Sequence, residues 1–136
     1  MKKEFSKKWK GSRQARKQRK YLAKAPLHLK HKKLSSNLSK DLRKKYGRRN
    51  LTIRKGDEVK ILNGNFRGKT GKIAVVNVKK GKIAVENIQR KKKDGTKIYV
   101  LLDPSNIQIQ SLVLDDKKRL ESLSRKTNLN KSNNKK

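Results

Sequence analysis

The sequence predicts a mostly β fold: a small antiparallel sheet curled into a barrel, short helices flanking it, and a basic extension at the N-terminus. Three observations predict it. Across 56–88, GDEVKILNGNFRGKTGKIAVVNVKKGKIAVENI, apolar side chains recur with period two: Val59 and Ile61 alternate with Lys60, and Ile83 and Val85 alternate with Ala84 and Glu86. Alternation of this kind, bounded by Gly and Asn, marks half-buried strands. Glycines at 56, 64, 68, 71 and 81 cut the stretch into short pieces, as a tightly turned sheet requires. Finally, 31% hydrophobic content over 136 residues is too little for a core spanning the whole chain, so one small domain with polar flanks is expected.

Charge sets the class of partner. There are 42 Lys+Arg against 10 Asp+Glu, a formal net charge of +32. Residues 1–50 hold 20 basic and 2 acidic side chains, so the imbalance is steepest at the N-terminus. Such a chain repels itself and calls for a polyanion.

Residues 1–33, MKKEFSKKWKGSRQARKQRKYLAKAPLHLKHKK, open the RNA-binding extension, which is expected to run to residue 50 and to hold two short helices. Ser12 can cap the first, over Arg13–Ala23, and Pro26 argues for a break near Ala25. Its apolar face is essentially Ala15 and Leu22, ringed by Arg13, Arg16, Lys17, Arg19 and Lys20. Like charges at helical spacing destabilise a free helix, so these five are expected to need an anion. Phe5, Trp9 and Tyr21 interleave with the cations. Such aromatics suit stacking on unpaired bases, and they equally suit packing on a neighbouring protein; Trp9 is taken as an RNA contact.

Residues 34–47, LSSNLSKDLRKKYG, predict the second helix, with Ser35 or Ser36 as N-cap and Gly47 in the left-handed position that ends it. Leu34, Leu38, Leu42 and Tyr46 fall four apart on one stripe, expected to dock on the strand domain. Lys40, Arg43 and Lys44 lie opposite and, with Arg48 and Arg49 just beyond, offer cations to phosphate. Solvated surface charge is the plainer reading of that face.

Residues 51–114 are the expected barrel domain. Besides the strands EVKIL, KIAVV and KIAVENI, Ile98–Leu102 and the alternating Ile107–Gln110 read as strands, with Leu112–Leu114 ending the last one. Five or six short strands in 64 residues point to an SH3-like antiparallel barrel, whose closure removes most exposed edges. A domain this small buries only ~60% of its unfolded-chain surface, so marginal free stability is expected. The connector Asn63–Gly71 is its unusual part. Gly64, Gly68 and Gly71 allow close backbone approach to another surface, while Arg67, Lys69 and Lys72 make the same loop cationic. Phe66 within it suits either stacking on a base or covering the barrel end. This spacing resembles the KOW motif, a small RNA-binding element of ribosomal proteins and transcription elongation factors. Arg90-Lys-Lys-Lys-Asp-Gly95 ends in a strong hairpin-turn signal behind four consecutive cations, of which Lys91 and Lys92 are taken as RNA contacts.

Residues 115–124, DDKKRLESLS, suggest a terminal helix with acids first and bases following. The tail 125–136, rich in Asn, Lys and Ser, is expected to be disordered when free.

Several classes are excluded. With no cysteine there is no disulfide and no thiolate metal site; His28 and His31 lack clustered acidic partners. No apolar run approaches the ~20 residues of a membrane span, and no secretory signal core is evident, so an intracellular soluble protein is expected. Asp57/Glu58 and Asp115/Asp116 are adjacent pairs that do not make opposed carboxylates, and the glycine loop lacks the phosphate-cradling G-x-x-x-x-G-K-[ST] form. No enzymatic role and no cofactor are expected.

APLH (25–28), LSSNLSKDLRKKYGRR (34–49), IRKGDEVKILNGNFRGKTGKI (53–73), DGT (94–96) and DPSN (103–106) together resemble one family across about residues 10–120. It is the large-ribosomal-subunit protein family numbered twenty-four in bacteria and twenty-six in eukaryotes, in its archaeal and eukaryotic form. The resemblance implies a KOW barrel bound to large-subunit rRNA near the polypeptide exit and engaged early in subunit assembly. It also implies neighbouring ribosomal proteins as partners, a single copy per ribosome and a cytoplasmic, ribosome-bound location, with no membrane or small-molecule partner. Two positions depart from the family pattern: Ala15 and Leu101 stand where relatives tend to carry proline, or at 101 a small residue. The alternative is a KOW-type transcription-elongation or architectural nucleic-acid-binding module. That reading leaves a 50-residue cationic extension without a use.

Overall fold

A computed structural model describes residues 5–6 and 11–124. Helix α1 is Ala15–Lys24 and α2 Leu27–Lys33; strand β1 is Ser35–Leu38, α3 Lys40–Tyr46 and β2 Asn50–Thr52. Then follow β3 Glu58–Ile61, β4 Thr70–Asn77, β5 Lys82–Lys91, β6 Lys97–Leu102, a 3₁₀ turn Pro104–Asn106, β7 Ile107–Ser111, and a helix over 117–124, α4.

The strands form one seven-stranded sheet in the order β2-β1-β7-β3-β4-β5-β6, antiparallel except where β1 runs parallel to β7. The small, mostly β fold with short flanking helices is therefore as expected. Its closure is not: β2 and β6 end the ladder on opposite sides, so curvature rather than a hydrogen-bonded ring encloses the core. Two irregularities supply that curvature. Thr70–Lys72 of β4 pair with β3, whereas Ile73–Asn77 pair with β5 across a register shift. Four residues of β5, Val85–Ile88, stand against Val100 alone, with Asn87 at φ 65°. The bulge lets Val85 and Ile88 both face inward while Glu86 and Asn87 face water. The core draws one to three side chains from every strand but β6: Leu38, Leu51, Val59, Ile61, Ile73, Ile83, Val85, Ile88, Ile107 and Ile109. At the β6 edge Ile98, Tyr99 and Leu101 remain exposed.

The expected helix over 34–47 is corrected. Residues 35–38 are a strand, and the helix starts only at Lys40. Leu34 and Leu38 are buried as expected, but they are held by a sheet and not by a helical stripe. The Ile53 N–H donates to Leu34 O (2.9 Å), Leu38 N–H to Arg49 O (2.9 Å) and Ser39 N–H to Ile109 O (2.9 Å). Ser36, 2% exposed, donates its hydroxyl to the Ile107 carbonyl. Serine competes poorly as a helix former because its hydroxyl satisfies backbone groups elsewhere, and here the ladders to β2 and β7 outweigh the propensity of a short helix. The N-cap is Ser39, whose Oγ accepts from Leu42 N–H (3.3 Å), and Gly47 ends α3 at φ 61°, ψ 21° as expected. Leu42 and Tyr46 pack on the core from α3.

Around the extension, α1 begins at Ala15 rather than Arg13, without a side-chain cap, and stops at Ala25 before Pro26. Beyond Pro26 the chain re-forms a helix, α2, that its Lys/His-rich sequence does not announce. β7 ends at Ser111, so Leu112–Leu114 fall outside the last strand, although Leu112 and Leu114 still pack on the core. Helix α4 starts after Asp116, whose carboxylate accepts from Lys118 N–H (2.9 Å). That bond first, and Arg54 second, hold the Asp116 carboxyl below its ordinary range. Leu123 of α4 is buried in the core. Trp9 and the tail 125–136 lie outside the described residues.

Candidate nucleic-acid interface

Barrel turns and short helices position the cations, and the few acids leave most of them unneutralised. Asp57 pairs with Arg119, Asp103 with Lys82 (2.7 Å) and Asp116 with Arg54. Asp94 is engaged within its own turn, accepting from the Thr96 hydroxyl (2.7 Å) and N–H (3.0 Å), which lowers its pKa. The paired bases are barrel and α4 residues. Arg13, Arg16, Lys17, Arg19 and Lys20 are exposed and form no ion pair or side-chain hydrogen bond among the described residues. Lys40, Lys44 and Arg49 are exposed at α3 and just after it, and Lys91 and Lys92 at the β5–β6 turn.

Two arginines are placed differently from the rest. Arg48 is half-buried, and its guanidinium donates to Ser122 Oγ (3.2 Å) and to the Ser122 carbonyl, tying the end of α3 to α4. Arg43 is half-buried as well, with its Nε enclosed and unpartnered. Both therefore direct part of their donor capacity into the protein.

The glycine loop is built from its own backbone bonds. Gly68 N–H donates to Ile61 O (2.8 Å), Ile61 N–H to Lys69 O (2.9 Å) and Arg67 N–H to Gly64 O (3.0 Å). Gly64 (φ 94°) and Gly68 (φ 86°) occupy the left-handed region with open space where a Cβ would stand, so conformation alone demands glycine there. Gly71 is the reverse case. Its φ is ordinary, but a Cβ would lie 2.9 Å from Glu86 O and 2.9 Å from Val85 Cγ1. The surface its backbone approaches is the β5 bulge. Gly71→Ala is accordingly expected to destabilise the barrel by about 1–3 kcal/mol, as overpacking does, while the folded fraction keeps its RNA affinity. Urea melts and titration of the folded fraction check this; lost affinity at unchanged stability would show instead that Gly71 meets the RNA.

Phe66 packs on the core, and the Lys69 ammonium sits 5.5 Å from its ring centroid. It covers the barrel end, leaving Arg67, Lys69 and Lys72 exposed around it. In the extension, Phe5 and Tyr21 pack on each other (ring centroids 4.7 Å apart), and Lys33 Nζ lies 5.2 Å from the Tyr21 centroid. Sequence reasoning missed Lys30 and Lys33 on α2 and Lys79 and Lys80 at the β4–β5 turn, which surround one depression. The charge pairs 32–33 and 79–80 were the available signal. No group of three or more metal-ligating side chains occurs among the described residues, and no helix there is long and apolar enough to cross a membrane.

Residues 12–126 match the model of a family described as the ribosomal proteins L26 of eukaryotes and L24 of archaea. The large ribosomal subunit protein uL24 of Methanosphaera stadtmanae is 44% identical over 115 residues, which is 85% of this chain and 98% of that protein. The protein of the same name from Korarchaeum cryptofilum is 44% identical over 110 residues, 81% of this chain and 84% of its own length.

Proposed function

Because the chain belongs to the family of eukaryotic L26 and archaeal L24 ribosomal proteins, we propose that it is a non-catalytic, structural protein of the large ribosomal subunit that clamps rRNA. The cations of α1 and α3 face phosphate, with Arg67, Lys69 and Lys72 of the glycine loop and Lys91 and Lys92 of the β5–β6 turn. In this reading residues 1–50 act as the RNA-binding extension, residues 51–114 as the barrel that anchors it, and 115–136 as a closing helix and basic tail. The observation that carries the reading is the absence of acidic partners for the cations at α1: Arg13 just before the helix and Arg16, Lys17, Arg19 and Lys20 on it crowd together with nothing to neutralise them among the described residues. Phosphate oxygens supply what is missing, and basic extensions of this type fit between RNA helices.

The proposal extends to place and time: a site near the polypeptide exit, in contact with neighbouring large-subunit proteins, occupied by one copy early in assembly, on cytoplasmic ribosomes. The family resemblance supports the first parts. Early binding also suits a small domain whose self-repulsion is relieved by RNA. In fractionated lysate the protein is expected to sediment with the large subunit. Recovery with bulk DNA or polymerase, in place of the subunit, would favour an elongation or architectural module and overturn the proposal.

A further inference from the structure

Between the two N-terminal helices and the β4–β5 turn lies a depression of about 450 Å³, within the size range of sites for single small ligands. Its apolar lining comes from Leu22, Ala23, Val78 and Pro104, together with the buried Leu34. Leu22 is 40% exposed, an apolar side chain from the most cationic helix left facing this space. Its charge comes from two separate elements, Lys30 and Lys33 of α2 and Lys79 and Lys80 of the turn, and no acidic residue among the described residues lines it. The walls are set in place. Lys30 Nζ donates to Ala23 O (2.9 Å), bracing α2 against α1, and the Lys80 N–H donates to Asn77 Oδ1 (3.0 Å), fixing the turn.

An apolar surface bordered by four lysines matches a ligand with one flat, weakly polar part and one anionic part. We propose that this depression receives a single unpaired nucleotide extruded from the bound RNA, its base against Leu22 and Val78 and its flanking phosphates on the four lysines. The inference rests on the rRNA-clamp reading and deepens it. A regular A-form duplex presents a convex backbone that cannot enter a concave site, whereas a bulged nucleotide can, and here its base would meet aliphatic side chains, Leu22 and Val78, in place of the aromatic ring on which unpaired bases commonly stack. Lysine suits the phosphate part because its flexible stem carries a point charge to the anion without demanding one geometry.

The test uses the full chain and two RNA hairpins of equal length, one fully paired and one with a single bulged 2-aminopurine. The bulged hairpin is expected to bind about tenfold more tightly, with a change in 2-aminopurine fluorescence on binding. Lys79→Gln with Lys80→Gln, on an exposed turn where the fold is safe, is expected to abolish that preference. A control, Lys91→Gln with Lys92→Gln, removes the same charge elsewhere and is expected to weaken both hairpins alike, keeping the preference. Equal, firm binding of both hairpins by the unaltered protein would overturn the pocket and leave the clamp standing. Retention of the preference in the Lys79/Lys80 variant would also overturn it, as would displacement of the bulged hairpin from the pocket by an acidic peptide, which would assign the site to a protein neighbour. Binding of neither hairpin would bring down the clamp reading and the pocket with it.

Discussion

Arg119→Ala is expected to cost the free protein about 3–5 kcal/mol, a large share of the ~5–15 kcal/mol that holds a domain together. Arg119 is 5% exposed and Asp57 0%. The guanidinium grips the carboxylate with two bonds, Nη1 to Oδ1 at 2.7 Å and Nη2 to Oδ2 at 2.7 Å. It also donates to Val113 O (2.8 Å) and Thr52 O (3.3 Å), so one side chain of α4 ties together three other parts of the barrel. Its loss leaves a buried carboxylate supported only by the N–H groups of Arg54 (2.9 Å) and Val113 (3.1 Å). Breaking such a pair costs more than the pair contributes, because the remaining charge stays desolvated. Urea unfolding measures the effect, and the double variant Asp57→Asn, Arg119→Met is expected to recover much of the loss. A cost below about 1 kcal/mol for Arg119→Ala would mean that α4 is not part of the cooperative unit.

Association with a large-subunit rRNA fragment is expected to weaken by about 10⁴–10⁵ between 50 and 200 mM monovalent salt. If about ten cations reach phosphates, log K falls against log salt with a slope of roughly −7 to −9. The exposed basic groups of α1, α3, the glycine loop and the β5–β6 turn are numerous enough to supply that many contacts even with Arg43 and Arg48 partly engaged inside the protein. A titration series at several salt concentrations reads the number of phosphate contacts from that slope. A slope shallower than about −3 would sink the clamp and leave only local contacts.

Where one face of a strand is buried, its pattern could be read from sequence. Val59 with Ile61, Ile83 with Val85 and Ile107 with Ile109 alternate, and all six are buried. Leu34 and Leu38 misled because a spacing of four satisfies two periods at once: about one helical turn, or two full strand repeats. The residue that separates the readings is Ser36, buried midway between them as a strand requires. Helix α2 lacks an apolar stripe, and only Pro26 at its start hints at it. The Asp57–Arg119 pair joins residues 62 apart in sequence, and an ion pair across that distance leaves no local trace. For the candidate interface the cation types were plain from composition. Their division was not: Arg48 turns toward Ser122 only because α4 folds back beside it, and the Lys30/Lys33 and Lys79/Lys80 pairs converge only through the sheet.

The strand order has a consequence for how the chain is made. β7, at 107–111, stands between β1 and β3, so the last strand to leave the ribosome is the one that joins the first two strands to the other four. Until it emerges, no strand is available to link β1 and β2 to the β3–β6 meander, and β1 and β3 lack their β7 partner. Synthesis at ~5–20 residues per second leaves about 1–4 seconds between Lys91 and Ser111, in which more than thirty positive charges have been made but no finished sheet exists to carry them. During that interval the growing polypeptide is a cationic, open-edged chain, the state most prone to stray capture by any nucleic acid within reach and most in need of a shield.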